Sequence, residues 1–186
     1  MKKIIALVFI SSSIFSNAQN ASVEKSVFGI QTGLLGIWAH NESRLSNTIA
    51  LRSELGLGGA IWGGSMYDDV GFSLSPVLTL EPRFYYNLNK RNSRSKGITN
   101  NSGNFISLQT SFHPDWFVIS NYEYENLISS ISIIPTWGIR RNIGAHFNFE
   151  AGFGIGYQYF FTKAAGYPSN ESDAAANLLL RIGYIF

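Results

Sequence analysis

The sequence predicts an all-β protein: a closed, antiparallel, up-and-down transmembrane β-barrel of about eight strands. Three observations carry that expectation. Apolar and polar residues alternate with period two through most of residues 27–186, and no stretch of helical period competes with them. Charged residues are scarce at 14% and aromatic ones abundant at 15%, where ordinary domains carry about 25% charge. Beyond residue 18 no window approaches the ~18 consecutive apolar residues of a membrane helix. A closed barrel, whose strands alternate rather than run, is the remaining way to occupy a bilayer.

The first eighteen residues stand apart. Lys2 and Lys3 precede the apolar run Ile4–Ile10, and Ser16-Asn17-Ala18 follows with small residues at both ends. That charge–apolar–small order predicts a cleaved signal peptide over 1–18, with Gln19 as the alternative last residue, and leaves 19–186 as one barrel domain. Removing Lys2 and Lys3 from the fourteen basic residues leaves twelve, against twelve acidic ones. A balanced chain gives no support to nucleic-acid binding. Without cysteine there is no disulfide framework and no thiol nucleophile.

The clearest strand is "AHFNFEAGFGIGYQYFF", 145–161, with Phe147, Phe149, Phe153, Ile155, Tyr157 and Tyr159 on one face. The opposite face carries Asn148, Glu150, Gly152, Gly154, Gly156 and Gln158. A face of glycine and amides suits a narrow barrel interior. In 71–88, Phe72, Leu74, Leu78, Leu80 and Phe84 oppose Ser73, Ser75, Thr79, Glu81 and Arg83. In "TIALRSELGL", Ile49, Leu51, Leu55 and Leu57 oppose Arg52 and Glu54. Similar patterns mark "NFISLQTSFH" and "LISSISIIPTWGI". At the start, Phe28, Ile30, Leu34 and Trp38 share the apolar face.

These segments number seven, whereas single-chain bacterial barrels have even strand numbers. A two-residue hairpin at Gly58-Gly59 restores parity by dividing 48–67. The expected strands are then 27–39, 48–57, 60–67, 71–88, 103–113, 127–139, 144–161 and 175–186. If the last strand ends in the periplasm, three acidic connections point outward: the one with Asp68 and Asp69, the one with Asp115, Glu123 and Glu125, and the one with Glu171 and Asp173. The neutral 40–47 joins them. The basic turns, with Lys90, Arg91, Arg94 and Lys96 and with Arg140-Arg141, fall on the periplasmic side together with Gly58-Gly59. Trp38, Trp62, Trp116 and Trp137 lie near strand ends, where aromatic girdles belong. The length of 89–102 departs from the short turns usual on that side.

With its leader, eight alternating strands and a last strand ending in Phe186, the chain resembles the small outer-membrane β-barrel proteins. "EPRFYYNLNKR" and "WGIRRNIGAHFNFEAGFGIGY" look more narrowly like uncharacterised barrels of Bacteroidetes-type bacteria. The resemblance implies fold, integral outer-membrane location, contact with outer-membrane lipid and an assembly route, but no activity. It also implies that Leu178, Leu180, Ile182, Tyr184 and Phe186 form the signal that the barrel-assembly machinery reads.

On the inward face, Arg52, Glu54, Glu81, Arg83, Glu150 and Arg181 form a lumen charge network, with His146 and Arg140 near one end. Buried charges must be paired, and eight strands leave an interior just filled by side chains. The expectation is therefore a closed structural or interaction-type barrel, with a small-solute channel as the alternative. Ser111 and His113, two apart on one face, carry the reading of a lipid-modifying enzyme, which the inward direction of the pair disfavours. A secreted lipocalin-like binder would need the apolar face inward and Arg52, Glu54, Glu81 and Arg83 outward. No catalytic, metal or cofactor site is expected. The outward loop bearing Trp116, Phe117, Tyr122 and Tyr124 is the expected contact surface for an extracellular partner of unknown identity.

Overall fold

The computed structural model describes residues 21–62, 70–121 and 127–186, with backbone alone at 61–62. The expected leader over 1–18 lies outside them, as do Asp68, Asp69, Tyr122, Glu123, Tyr124 and Glu125. Eight long strands dominate: β1 Ser26–Gly33, β2 Gly36–Arg44, β3 Ile49–Trp62, β4 Gly71–Tyr85, β5 Asn104–His113, β7 Ser130–Ile143, β8 Phe147–Phe160 and β9 Glu171–Ile185. The two-residue β6, Ile119–Ser120, pairs with Ser73 and Leu74 of β4. All pairings are antiparallel, and hydrogen bonds run in a ring through β1, β2, β3, β4, β5, β7, β8 and β9 back to β1. The chain is thus an eight-stranded up-and-down β-barrel. No helix among the described residues is long and apolar enough to cross a membrane.

The eight strands are not divided where the sequence suggested. β3 runs through Gly58-Gly59 without a turn, and those glycines pair with Ser75 and Leu74 of β4. The hairpin falls instead at Leu34-Leu35, between Gly33 and Gly36, which pair with each other. Gly36 has φ +144, a backbone that L side chains rarely adopt. A two-residue loop restarts the alternation, so Trp38 turns inward, away from the expected girdle. Downstream the strand continues to Arg44, and the next turn is at 45–48 rather than over 40–47. That turn shares one barrel end with residues 21–25, 86–103, 144–146 and Phe186. The opposite, distal end carries Leu34-Leu35, the paired strand ends Trp62 and Gly71, and residues 114–121, 127–129 and 161–170. Asp115 and the basic segment 89–102 lie at opposite ends, the other acids of the expected acidic connections lying outside the described residues or within β9, whereas 40–47 and Gly58-Gly59 exchange sides. Arg140 and Arg141 are in β7 rather than in a turn, and Glu171 and Asp173 begin β9.

The direction of the side chains is inverted relative to a soluble domain. Glu42, Arg52, Glu54, Glu81, Arg83, Arg140 and Glu150 are buried. Phe28, Leu55, Ile106, Phe153 (61% exposed), Ile155 (72%) and Tyr157 (71%) face outward. Curvature explains the glycine-rich inner face of β8. A Cβ on Gly152, Gly154 or Gly156 would lie 2.4, 2.5 or 2.1 Å from a carbonyl oxygen of β7, closer than any side chain tolerates.

The long basic connection forms an end cap. Its helix α1, Leu88–Asn92, and the 3-10 turn Thr99–Asn101 fold beneath the barrel. Leu88 joins Val23, Ala50, Tyr85 and Phe105 in a small apolar cluster. Asn89 Oδ1 accepts the Ala21 amide at 2.8 Å, and Asn101 Oδ1 accepts the Glu24 amide at 2.7 Å. The segment is long because it closes the end of the barrel rather than merely joining two strands.

Candidate functional site

The interior has two storeys. Near the chain termini, alternate positions of six strands converge on a mesh of four carboxylates and four guanidiniums. Glu42, at the mesh centre, lies 3.3 Å from Arg52 Nη1, 3.0 Å from Arg83 Nη1 and 3.1 Å from Arg140 Nη2. Its second oxygen accepts from Tyr85 Oη at 3.0 Å and Asn101 Nδ2 at 2.7 Å. Glu150 bonds Arg140 and Arg83, at 2.6 and 3.1 Å. Glu81 accepts from Arg83 at 2.8 Å and Ser107 Oγ at 2.6 Å. Glu54 bonds Arg52, and also Arg181 at 2.7 Å. Arg52 Nη2 further donates to Gln31 Oε1 at 2.6 Å, and Gln31 Nε2 to Asn148 Oδ1 at 2.8 Å.

All six residues expected in the lumen network are therefore brought together: Arg52, Glu54, Glu81, Arg83, Glu150 and Arg181. The mesh is larger than the sequence suggested. Arg140, expected at one end, is fully buried within it, and Glu42, expected in a loop, is its hub. A fourth inward base calls for a fourth inward acid, and the alternation Trp38, His40, Glu42 supplied that signal once β2 was placed. Four acids and four bases cancel. Each is paired with at least one opposite charge and most with several partners, the condition for leaving charges out of water. Arg83 also lies 4.2 Å over the Phe105 ring and Arg181 4.0 Å over the Trp38 ring. His40 is buried beside the mesh, and neither ring nitrogen has a hydrogen-bond partner among the described residues. His146, at the barrel end, stacks on Tyr184 instead, and its Nδ1 is 3.2 Å from Ile185 O.

Above the plug, toward the distal end, is a cavity of about 630 Å³. Its wall is mostly small or uncharged and polar: Ser75, Thr79, Gln109, Ser111, Ser132 and Gln158 contribute, and Trp38 and Arg181 also line it. Ser111 Oγ pairs with Thr79 Oγ1 at 2.8 Å, and no hydrogen bond joins it to His113. Among the described residues, no group of three His, Cys, Asp or Glu could hold a metal ion.

The outer surface positions the remaining candidates. Leu178 (66% exposed), Leu180, Ile182, Tyr184 and Phe186 (75%) all point away from the lumen along β9. Trp116 and Phe117 are exposed on the distal connection, while Tyr122 and Tyr124 lie outside the described residues. Trp137 faces outward and donates from Nε1 to Tyr86 Oη at 2.9 Å. Compared with family models, curated proteins and solved structures, the chain matches none.

Proposed function

We propose that the protein is an integral outer-membrane β-barrel of structural or interaction type, exported by a cleaved leader over 1–18. In this reading its lumen is closed by the ion-pair plug and its distal connections face outward. The observation that carries the reading is the inversion of polarity: four acidic and four basic side chains inside, and an outer wall of Phe28, Ile106, Phe153, Ile155 and Leu178. Against water such a wall would be a large aggregation-prone surface; against acyl chains it is the solvated face. The same inversion opposes a lipocalin-like binder, which needs an apolar interior.

Closure favours a structural role over a channel, because the mesh fills the section between β2, β3, β4, β7, β8 and β9 and the end cap lies beneath it. An enzymatic role has no support from Ser111, whose hydroxyl is engaged with Thr79 rather than His113. The last strand, which ends beside Phe186 on the side opposite the distal connections, is the segment offered to the assembly machinery. Trp116 and Phe117 are the surface offered to an extracellular partner.

The test is the behaviour of the mature protein in detergent. It should need detergent or lipid to remain in solution, float with phosphatidylcholine vesicles, and migrate differently on gels before and after boiling. A protein soluble without detergent and indifferent to boiling would refute the membrane assignment.

A further inference from the structure

The barrel wall is interrupted where the β1–β2 hairpin stops. β1 pairs with β9 only from Gly29 to Gly33, opposite Ile185 to Arg181. β2 pairs with β3 only as far as Gly36 opposite Gly58, extended by one bond from Gly59 N to Leu35 O at 3.0 Å. Beyond these points β3 continues to Trp62, and β9 extends ten residues to Glu171 with a partner only on its β8 side. Two absent strands at a spacing of about 4.8 Å leave a gap of roughly 14 Å between β3 and β9. No described residue pairs across it.

Both flanks of the gap are built from small residues. Gly58, Gly59 and Ala60 stand on the β3 side, and Ala174, Ala175 and Ala176 on the β9 side. The hairpin tip below, Leu34-Leu35, forms an exposed apolar sill, and Leu178 continues it. The cavity of about 630 Å³ is lined from both flanks, by Ala60 on one and Ala175 on the other, so it opens sideways as well as distally. Its hydrogen-bonding capacity is only partly used. Gln109 Oε1 accepts from Asn177 and Gln158 Nε2 donates to Ser130, but Gln109 Nε2 and Gln158 Oε1 bond no other described residue. The one guanidinium at its floor, Arg181, is already paired with Glu54.

We propose that this gap is a lateral portal, through which an uncharged single-chain amphiphile passes from the bilayer into the cavity. The inference rests on the membrane reading above. Open strand edges do not face lipid unless they line a polar cavity, and these do. An acyl chain lies over Leu34, Leu35 and Leu178, while a hydroxyl- or amide-bearing head reaches Gln109, Gln158 and Ser132. A charged head would find no unpaired counter-ion there.

Trp38, on the cavity wall, is a built-in reporter, and Trp137, on the outer wall, is its control. Two single-tryptophan proteins serve. One carries Trp62→Phe, Trp116→Phe and Trp137→Phe and retains Trp38; the other carries Trp38→Phe, Trp62→Phe and Trp116→Phe and retains Trp137. Each is reconstituted in phosphatidylcholine vesicles containing dibrominated monooleoylglycerol, whose bromines quench tryptophan on contact. Both tryptophans should be quenched. Adding Ala60→Phe and Ala175→Phe should abolish quenching of Trp38 and leave that of Trp137; Ala175→Leu alone serves if the double change impairs folding. Quenching of Trp137 without Trp38 would overturn the portal and spare the membrane reading. Quenching of neither would overturn both. Equal quenching of Trp38 with the portal filled would mean another route of access and would refute the proposal.

Discussion

Glu42 shows how much one carboxylate can hold. It contacts three guanidiniums, a phenol and an amide, and it has no exposure to solvent. Removing one partner of a buried ionic cluster leaves uncompensated charge, at a cost of about 3–5 kcal/mol. Glu42→Ala should therefore lower the urea midpoint of the detergent-folded barrel substantially, whereas Glu171→Ala, at an exposed position, should leave it nearly unchanged. Equal midpoints for the two variants would remove Glu42 from the centre of the stability account. At this scale the sequence was informative wherever alternation was continuous: Arg52, Glu54, Glu81, Arg83, Glu150 and Arg181 all point inward as their parity requires. Glu42 escaped because its parity depended on a hairpin two residues long. Tyr85 shares the inward parity of Glu81 and Arg83 on β4 but is aromatic, so it does not read as polar; Asn101 escaped because its role arises from an end cap that alternation does not describe.

Among the elements, β8 is the least tolerant of change. Gly154 has a carbonyl oxygen and a hydroxyl 2.5 Å from where its Cβ would stand, so Gly154→Val must displace the β7 backbone. Overpacking of this kind costs about 1–3 kcal/mol or more. The yield of heat-modifiable barrel should fall for Gly154→Val and hold for Gly97→Ala, whose Cβ would meet nothing within 4 Å; equal yields would contradict the curvature argument. The strands themselves were legible because a two-sided environment writes period two into the chain. The position of the first hairpin was not. Gly58-Gly59 has better local turn chemistry than Leu34-Leu35, but fourteen consecutive pairings with β4 hold it straight. An apolar hairpin tip also violates the habit of polar turns, and is in keeping with the proposed membrane setting, where Leu34 and Leu35 would meet acyl chains. Likewise, the length of 89–102 had no meaning until α1 was seen to seal the barrel.

For the whole molecule, the consequence of the plug is electrical. A pore through the lumen would have to part Glu42 and Glu150 from Arg52, Arg83 and Arg140. Planar bilayers containing the folded protein should therefore show no stable conductance steps. Steps abolished by Glu81→Gln or Arg83→Gln would establish the channel alternative instead. Ser111 Oγ is paired with Thr79 Oγ1 rather than with His113, so lipid A from cells carrying Ser111→Ala should match that from cells with the unaltered protein by mass spectrometry.

The mesh also carries information about order of assembly. The strands β2, β3 and β4 bring Glu42, Arg52, Glu54, Glu81 and Arg83, an excess of one negative charge. The strands β7, β8 and β9 bring Arg140, Glu150 and Arg181, an excess of one positive charge. Neither half is neutral alone, and the charges that complete one are about a hundred residues distant in the other. A half-built barrel is thus marked by a charge it cannot bury, and only ring closure erases the mark. On the membrane assignment proposed above, an unfinished barrel would carry into the bilayer a charge it cannot pair, and the finished one would not.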